Sequence, residues 1–109
     1  MGADAFIAFY GLRYTLSTEE LEAVESRTDE RIIAARRAKL HTHFGRVTEG
    51  EPHTLLIGTQ LGVFGLENEA VRSVAAPELD RLIRDTTARL DEAGLRGDPA
   101  LHLRFEAKY

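Results

Sequence analysis

Hydrophobic and polar residues alternate near the start of the chain. From Ala5 to Leu16 the even positions are apolar or aromatic throughout, while the odd positions are apolar at first and polar later. Alternation with both faces partly apolar is typical of a strand inside a sheet. The pattern therefore predicts a central strand with a neighbour on each side.

A helical region is predicted directly after this strand. Ser17 is a favourable N-cap, and Glu20 three residues later completes a capping box. Apolar residues then recur at helical spacing as far as Ala35. Because polar residues interrupt this stripe, we expect two helices in series, or one helix that bends between Arg27 and Asp29.

The middle of the chain predicts a hairpin and a further helix. Residues 40–47 and 53–61 are rich in β-branched, aromatic and apolar residues and flank a five-residue connection with turn chemistry. The segment from 62 to 69 is predicted as a loop, and Ala70–Val74 as an optional short strand. Pro77 suits the first turn of a helix, which Gly94 would end in a Schellman motif.

The last segment alternates strictly. From Leu101 to Tyr109 the odd positions are apolar or aromatic, and the even positions are His102, Arg104, Glu106 and Lys108. We expect the odd side to be buried and the even side to face solvent or an interface.

The merged order of elements is β, α, β, β, α, β, with room for an extra strand. It predicts an α+β fold in which an antiparallel sheet of four to five strands carries helices on one face, in the ferredoxin-like βαββαβ order. With no linker or repeat, residues 1–109 are expected to form a single domain. Folds of this type host unrelated activities and imply no function by themselves.

Composition excludes some classes of function. The formal net charge of −4 argues against a nucleic-acid binder, and no apolar run approaches the roughly 20 residues of a membrane span. The N-terminus lacks the pattern of a signal peptide. Since there is no cysteine, nothing indicates an oxidising compartment, and a cytoplasmic location is expected.

Three histidines form a candidate metal site. His41 and His43 are two apart on a predicted strand and so share a face, and His53 begins the partner strand. Converging imidazoles could bind zinc, nickel or copper, but a structural zinc site needs four ligands and a catalytic one usually three. The alternative is that all three are ordinary polar strand residues.

Other residues are candidates for ligand binding. Arg36 and Arg37 belong to a basic stretch that could bind an anion, although basic residues near the end of a helix also suit its dipole. Tyr10 and Tyr14 lie on the first strand, which would leave apolar surface uncovered if helices occupy one side only. Phe64 lies in the predicted glycine-containing loop.

No nucleophile, base and orienting residue stand in a recognisable arrangement, so the catalytic residues are unknown and no cofactor is predicted. The leading hypothesis is a small binding or protein-interaction domain that is homodimeric through its sheet face. A different protein or a small anionic ligand is a further candidate partner. One alternative is a small dimeric α+β barrel enzyme with tyrosine or histidine as acid and base; another is a metal-binding accessory protein.

Overall fold

The structure is a computed structural model that describes residues 5–47, 50–65 and 70–106. Its elements are, in chain order, β1 (Ala5–Thr15), α1 (Thr18–Glu25), α2 (Glu30–Arg37), β2 (His41–Gly45), β3 (Thr54–Phe64), α3 (Ala76–Glu92) and β4 (Ala100–Glu106). The four strands form one antiparallel sheet in the order β2-β3-β1-β4. The predicted α+β class with an antiparallel sheet is confirmed.

The helical region after β1 consists of two helices in series. The Ser17 hydroxyl accepts a hydrogen bond from the Glu20 amide, and the Glu20 carboxylate accepts one from the Ser17 amide, so the predicted capping box is present. Asp29 caps α2 by accepting a hydrogen bond from the Arg31 amide. Between the two helices Arg27 takes a positive φ of 61°, which ends α1 without a glycine.

Helix α3 ends as the sequence predicts. Gly94 has a φ of +73°, the Leu95 amide donates to the Leu90 carbonyl, and the Gly94 amide donates to the Asp91 carbonyl. These two bonds form the Schellman motif. No helix within the described residues is both long and apolar enough to cross a membrane.

Strand β3 is longer than expected. The segment Gly62–Phe64, predicted as loop, pairs with Ala8 to Phe6 of β1 and belongs to the strand. The first half of β3 pairs with both β2 and β1. Beyond Gly58, β3 pairs with β1 alone. The optional strand at Ala70–Val74 does not form, and residues 66–69 of the predicted loop lie outside the described residues.

All three helices cover one side of the sheet, which we call the outer face. One core cluster joins them to the strands. Its buried members are Leu12, Leu16, Val24, Ile32, Ala35, Leu40, Leu55, Ile57 and Leu90. Leu12 and Ile57 are register partners, so their side chains lie on the same side of the sheet. Apolar residues of α1, α2 and α3 pack against this side.

The backbones of β1 and β3 approach very closely at Gly11 and Gly58, which are register partners. A Cβ on Gly11 would lie 2.1 Å from the Ile57 carbonyl oxygen, and a Cβ on Gly58 would lie 2.0 Å from that of Tyr10. Gly11 also has a φ of +158°, a conformation that L side chains rarely adopt. Glycine is therefore required on both strands.

The sheet bends strongly at the Gly11–Gly58 pair, which we call the crossing of β1 and β3. Glu106 is the register partner of Ala5, while His43 lies level with Arg13 through Leu56. Ala5 and Arg13 are eight positions apart, about 27 Å in a straight strand, yet His43 Nε2 is 3.1 Å from Glu106 Oε2. The two ends of the sheet therefore curl toward each other and enclose its second side, which we call the inner face.

The prediction of which side of β4 is buried is wrong. Leu101, Leu103 and Phe105 are 50%, 59% and 52% exposed, whereas the side chains of Arg104 and Glu106 are only 10% and 4% exposed. Strict alternation identifies which residues share a face, but it does not say which face is enclosed. Here the bend encloses the polar side of β4.

Candidate functional site

Four polar side chains meet across the inner face and join its two ends. We call this group, formed by His43, Thr54, Arg104 and Glu106, the closing cluster. His43 Nε2 lies 3.1 Å from both carboxylate oxygens of Glu106, and an Arg104 terminal nitrogen lies 3.1 Å from Glu106 Oε2. The other terminal nitrogen of Arg104 donates to the Thr54 hydroxyl. The cluster thus ties β4 to β2 and to the start of β3.

The closing cluster shares the inner face with a small apolar core. Ile7, Phe9 and Leu56 are buried there and pack together, with Val63 against them. Glu106 is buried as well, and a carboxylate in such surroundings is stable only when it is paired and hydrogen-bonded. Arg104 therefore provides charge compensation as well as geometry.

A cleft of about 320 Å³ opens beside the closing cluster, between β4 and the connection from β2 to β3. We call it the arginine cleft. The described residues that line it are Arg13, Arg46, Val47, Glu51, Pro52, Thr54, Leu101, His102, Leu103 and Arg104. Its walls combine several guanidinium groups with apolar side chains, a composition that suits an anionic molecule with an apolar part.

Two polar groups in the cleft have defined hydrogen-bonding states. His102 Nε2 lies 2.9 Å from the Gly11 carbonyl oxygen, so this nitrogen carries the proton and donates it. The Nε of Arg104 is buried and has no hydrogen-bond partner among the described residues. Such unsatisfied buried donors are rare in folded proteins.

The two tyrosines predicted as ligand contacts lie on the outer face and make bonds within the fold. Tyr10 shares a hydrogen bond of 3.3 Å with Thr87 of α3. Tyr14 donates to the Arg96 carbonyl, and the Arg31 guanidinium lies 4.9 Å from its ring centroid. Burial raises the pKa of Tyr14 and outweighs the opposing effect of Arg31, which does not suit acid–base work near neutral pH.

Phe64 also lies within the sheet. It ends β3 as the register partner of Phe6, and the two rings stand 6.4 Å apart in a tilted arrangement. The prediction that Phe64 lies in a loop is therefore wrong, because this residue pairs with β1.

The basic residues of α2 have separate environments. Arg36 and Arg37 are exposed near the end of the helix, away from the arginine cleft. Arg31 instead bridges Asp29 and Glu20, with distances of 2.9 Å to each carboxylate. Hydrogen bonds from the Arg31 side chain hold the pKa of Asp29 below its usual range. Arg31 is thus part of a structural ion-pair network between α1 and α2.

The three histidines of the predicted metal site have different neighbours. His41 Nδ1 accepts a hydrogen bond from the backbone amide of Gln60, and His43 pairs with Glu106. His53 lies just before β3, where its carbonyl accepts from the Leu16 amide. Within residues 5–47, 50–65 and 70–106 no group of three or more metal-ligating side chains converges, so the described residues give the metal hypothesis no support.

Sequence reasoning missed the residues that the bend brings together. Arg104 and Glu106 were expected to face solvent or an interface, and Arg13 and Arg46 were not singled out as site residues. The sequence does show an alternating polar side of β4, and such a side can line an enclosed face of a sheet as well as face solvent. His43 and Glu106 are 63 residues apart in the chain, and no local pattern connects them.

Comparisons of the chain with family models, with curated proteins and with solved structures find no match.

Proposed function

We propose that this chain is a small binding protein that acts as a homodimer through the outer face of β1 and β4. The observation that carries the proposal is a row of exposed apolar side chains, which we call the apolar strip. It consists of Phe6, Leu101, Leu103 and Phe105, which are 37%, 50%, 59% and 52% exposed. A contiguous apolar patch of this kind is typical of an interaction surface.

The apolar strip lies on the outer face beyond the part of the sheet that α3 covers. Phe6 pairs with Phe105 and Ala8 pairs with Leu103, so the strip continues across both strands. Helix α3 bonds to the sheet nearer the bend, at Tyr10 and Thr59. The sequence instead predicts uncovered apolar surface on the side of the sheet without helices, where Ile7 and Phe9 are buried.

A second copy of the chain is the partner that fits this surface. The described residues of the strip carry no charge, so a complementary surface should also be apolar, and a two-fold axis would place the strip against its own copy. If a fully open side chain exposes about 200 Å², the strip offers roughly 400 Å² per copy. That is about half of the ~800 Å² per partner of a standard interface, enough for its apolar centre.

The ferredoxin-like type of fold and a cytoplasmic location belong to the same proposal. The position of helices between β1 and β2 and between β3 and β4, with the strand order β4-β1-β3-β2 from one edge, supports the first. The absence of cysteine from the sequence supports the second. Neither the enzyme hypothesis nor the metal hypothesis gains a specific observation among the described residues.

Replacement of Leu103 by Glu tests the dimer. Leu103 lies mid-strip and is largely exposed, so Leu103→Glu should leave the monomer folded and place two like charges in the interface. We expect the unchanged chain to sediment as a dimer over about 1 to 100 µM, and Leu103→Glu to sediment as a monomer with unchanged circular dichroism.

Ile33→Glu is the matched control. Ile33 is 39% exposed on α2, which packs near β2 at the opposite edge of the sheet, so this variant should remain dimeric. A monomeric unchanged chain, or a Leu103→Glu variant that still dimerises, would contradict the proposal.

A further inference from the structure

The arginine cleft contains two arginines that pair with no described carboxylate. Arg13, Arg46 and Arg104 line it, and Glu51 is the one carboxylate among its described lining residues. Arg13 and Arg46 form no ion pair with any described residue, whereas Arg31 of α2 binds two carboxylates. A concave surface with an excess of positive charge attracts anionic ligands.

Partners among the described residues hold two of the three guanidinium nitrogens of Arg104 in place. One of its terminal nitrogens donates to the Thr54 hydroxyl and the other pairs with Glu106. Both contacts fix the plane of the guanidinium group. Its Nε–H is buried and meets no acceptor among the described residues, and burial of an unsatisfied donor is unfavourable.

We propose that the arginine cleft binds a small organic anion whose acidic oxygens are held by Arg13, Arg46 and Arg104. Guanidinium groups present forked donors that match carboxylate and phosphate oxygens. The cleft volume of about 320 Å³ accommodates a small molecule. The ligand is thus a carboxylate or a phosphate ester with a modest apolar part.

The apolar walls explain why the ligand is organic. Val47 and Pro52 line the cleft beside the arginines. Contact with these side chains adds affinity that an inorganic anion cannot gain. The inference does not depend on the homodimer, since all of these residues belong to one chain.

Calorimetric titration of the full chain with four probes tests the inference. The probes are benzoate, phenyl phosphate, inorganic phosphate and the uncharged benzyl alcohol. We expect saturable binding of benzoate, of phenyl phosphate or of both, and the tighter of the two identifies the acidic group. Inorganic phosphate should bind at least about tenfold more weakly than the better organic anion, and benzyl alcohol should not bind.

A pair of double variants locates the site. Arg13→Gln with Arg46→Gln should weaken binding of the organic anion by at least about tenfold, because each lost charge-assisted hydrogen bond costs about that much. Arg36→Gln with Arg37→Gln removes the same charge from α2 and should change the affinity less than twofold. The second pair also tests the anion site that the sequence suggested on α2.

The Nε–H of Arg104 provides a readout that needs no variant. In ¹⁵N-edited spectra of the unchanged chain, this signal should shift on addition of the organic anion, and to a greater extent than the Nε–H signals of Arg36 and Arg37. The inference is overturned if neither benzoate nor phenyl phosphate binds saturably, or if benzyl alcohol or inorganic phosphate binds as tightly. Equal effects of the two double variants, or an unmoved Arg104 signal, would overturn it as well.

Discussion

The facing glycines where β1 crosses β3 leave no space for a side chain. A Cβ on Gly58 would lie 2.0 Å from the Tyr10 carbonyl oxygen, which belongs to backbone and cannot move independently. We expect Gly58→Ala to lower the free energy of unfolding by at least about 3 kcal/mol. Urea unfolding followed by circular dichroism measures this loss.

Gly94→Ala is the control for the same change of residue. Gly94 also has a positive φ, of +73°, but a Cβ there meets no described atom within 4 Å. Its substitution should cost only about 1 kcal/mol, the strain of a left-handed conformation for an L residue. Similar losses in the two variants would show that the backbones are not in close contact at Gly58.

At the level of elements, Asp29 stabilises the junction of α1 and α2 in two ways, as the N-cap of α2 and as an ion-pair partner of Arg31. Its carboxylate accepts a hydrogen bond from the Arg31 amide and pairs with the Arg31 guanidinium at 2.9 Å. Asparagine can still cap a helix but carries no charge. We therefore expect Asp29→Ala to lose about 1 kcal/mol of stability at neutral pH, and Asp29→Asn to lose less.

The charge of Asp29 also predicts a pH dependence. Hydrogen bonds from Arg31 lower the pKa of Asp29 in the folded state, so the unfolded state binds the proton more readily. The stabilising contribution is complete above the ordinary aspartate pKa of about 4 and is lost as the pH falls through the folded value.

Urea unfolding at neutral pH and in acid checks this dependence. The unchanged chain should exceed Asp29→Asn in stability at neutral pH, and the difference should shrink in acid. A difference that stays constant over this range would contradict an ionised pair.

Element boundaries set by local chemistry could be predicted from the sequence. Ser17 with Glu20, and Gly94 with Leu95, identified a helix start and a helix end because capping depends on residues a few positions apart. The end of β3 could not be predicted in this way. Gly62 reads as a loop residue, but its pairing depends on β1, more than fifty residues earlier.

At the scale of the whole molecule, the bend determines which residues form the candidate site. The alternation of β4 correctly grouped Arg104 with Glu106, yet the enclosed side could be recognised only once the ends of the sheet had met. That meeting depends on the glycines at the crossing and on contacts between distant strands. The sequence therefore specifies the members of each face, while the three-dimensional path of β1 decides which face is interior.

The meeting of the two ends can be tested at Gly45 of β2. A Cβ on Gly45 would lie 2.9 Å from a carboxylate oxygen of Glu106, at the far end of β4. We expect Gly45→Ala to destabilise the unchanged chain by about 1 to 3 kcal/mol, the usual cost of overpacking. Glu106→Ala should cost about 3 kcal/mol, because it removes a buried partner of Arg104.

The double variant decides whether these two effects share one contact. Once Glu106 is shortened to alanine, the new methyl group at position 45 meets open space, and alanine is intrinsically more favourable than glycine in a strand by about 0.5 kcal/mol. Gly45→Ala should then be neutral or stabilising, which gives a coupling energy of at least about 1 kcal/mol in a double-mutant cycle. Additive losses would mean that β2 and β4 do not meet, and the enclosed inner face and the arginine cleft beside it would lose their structural basis.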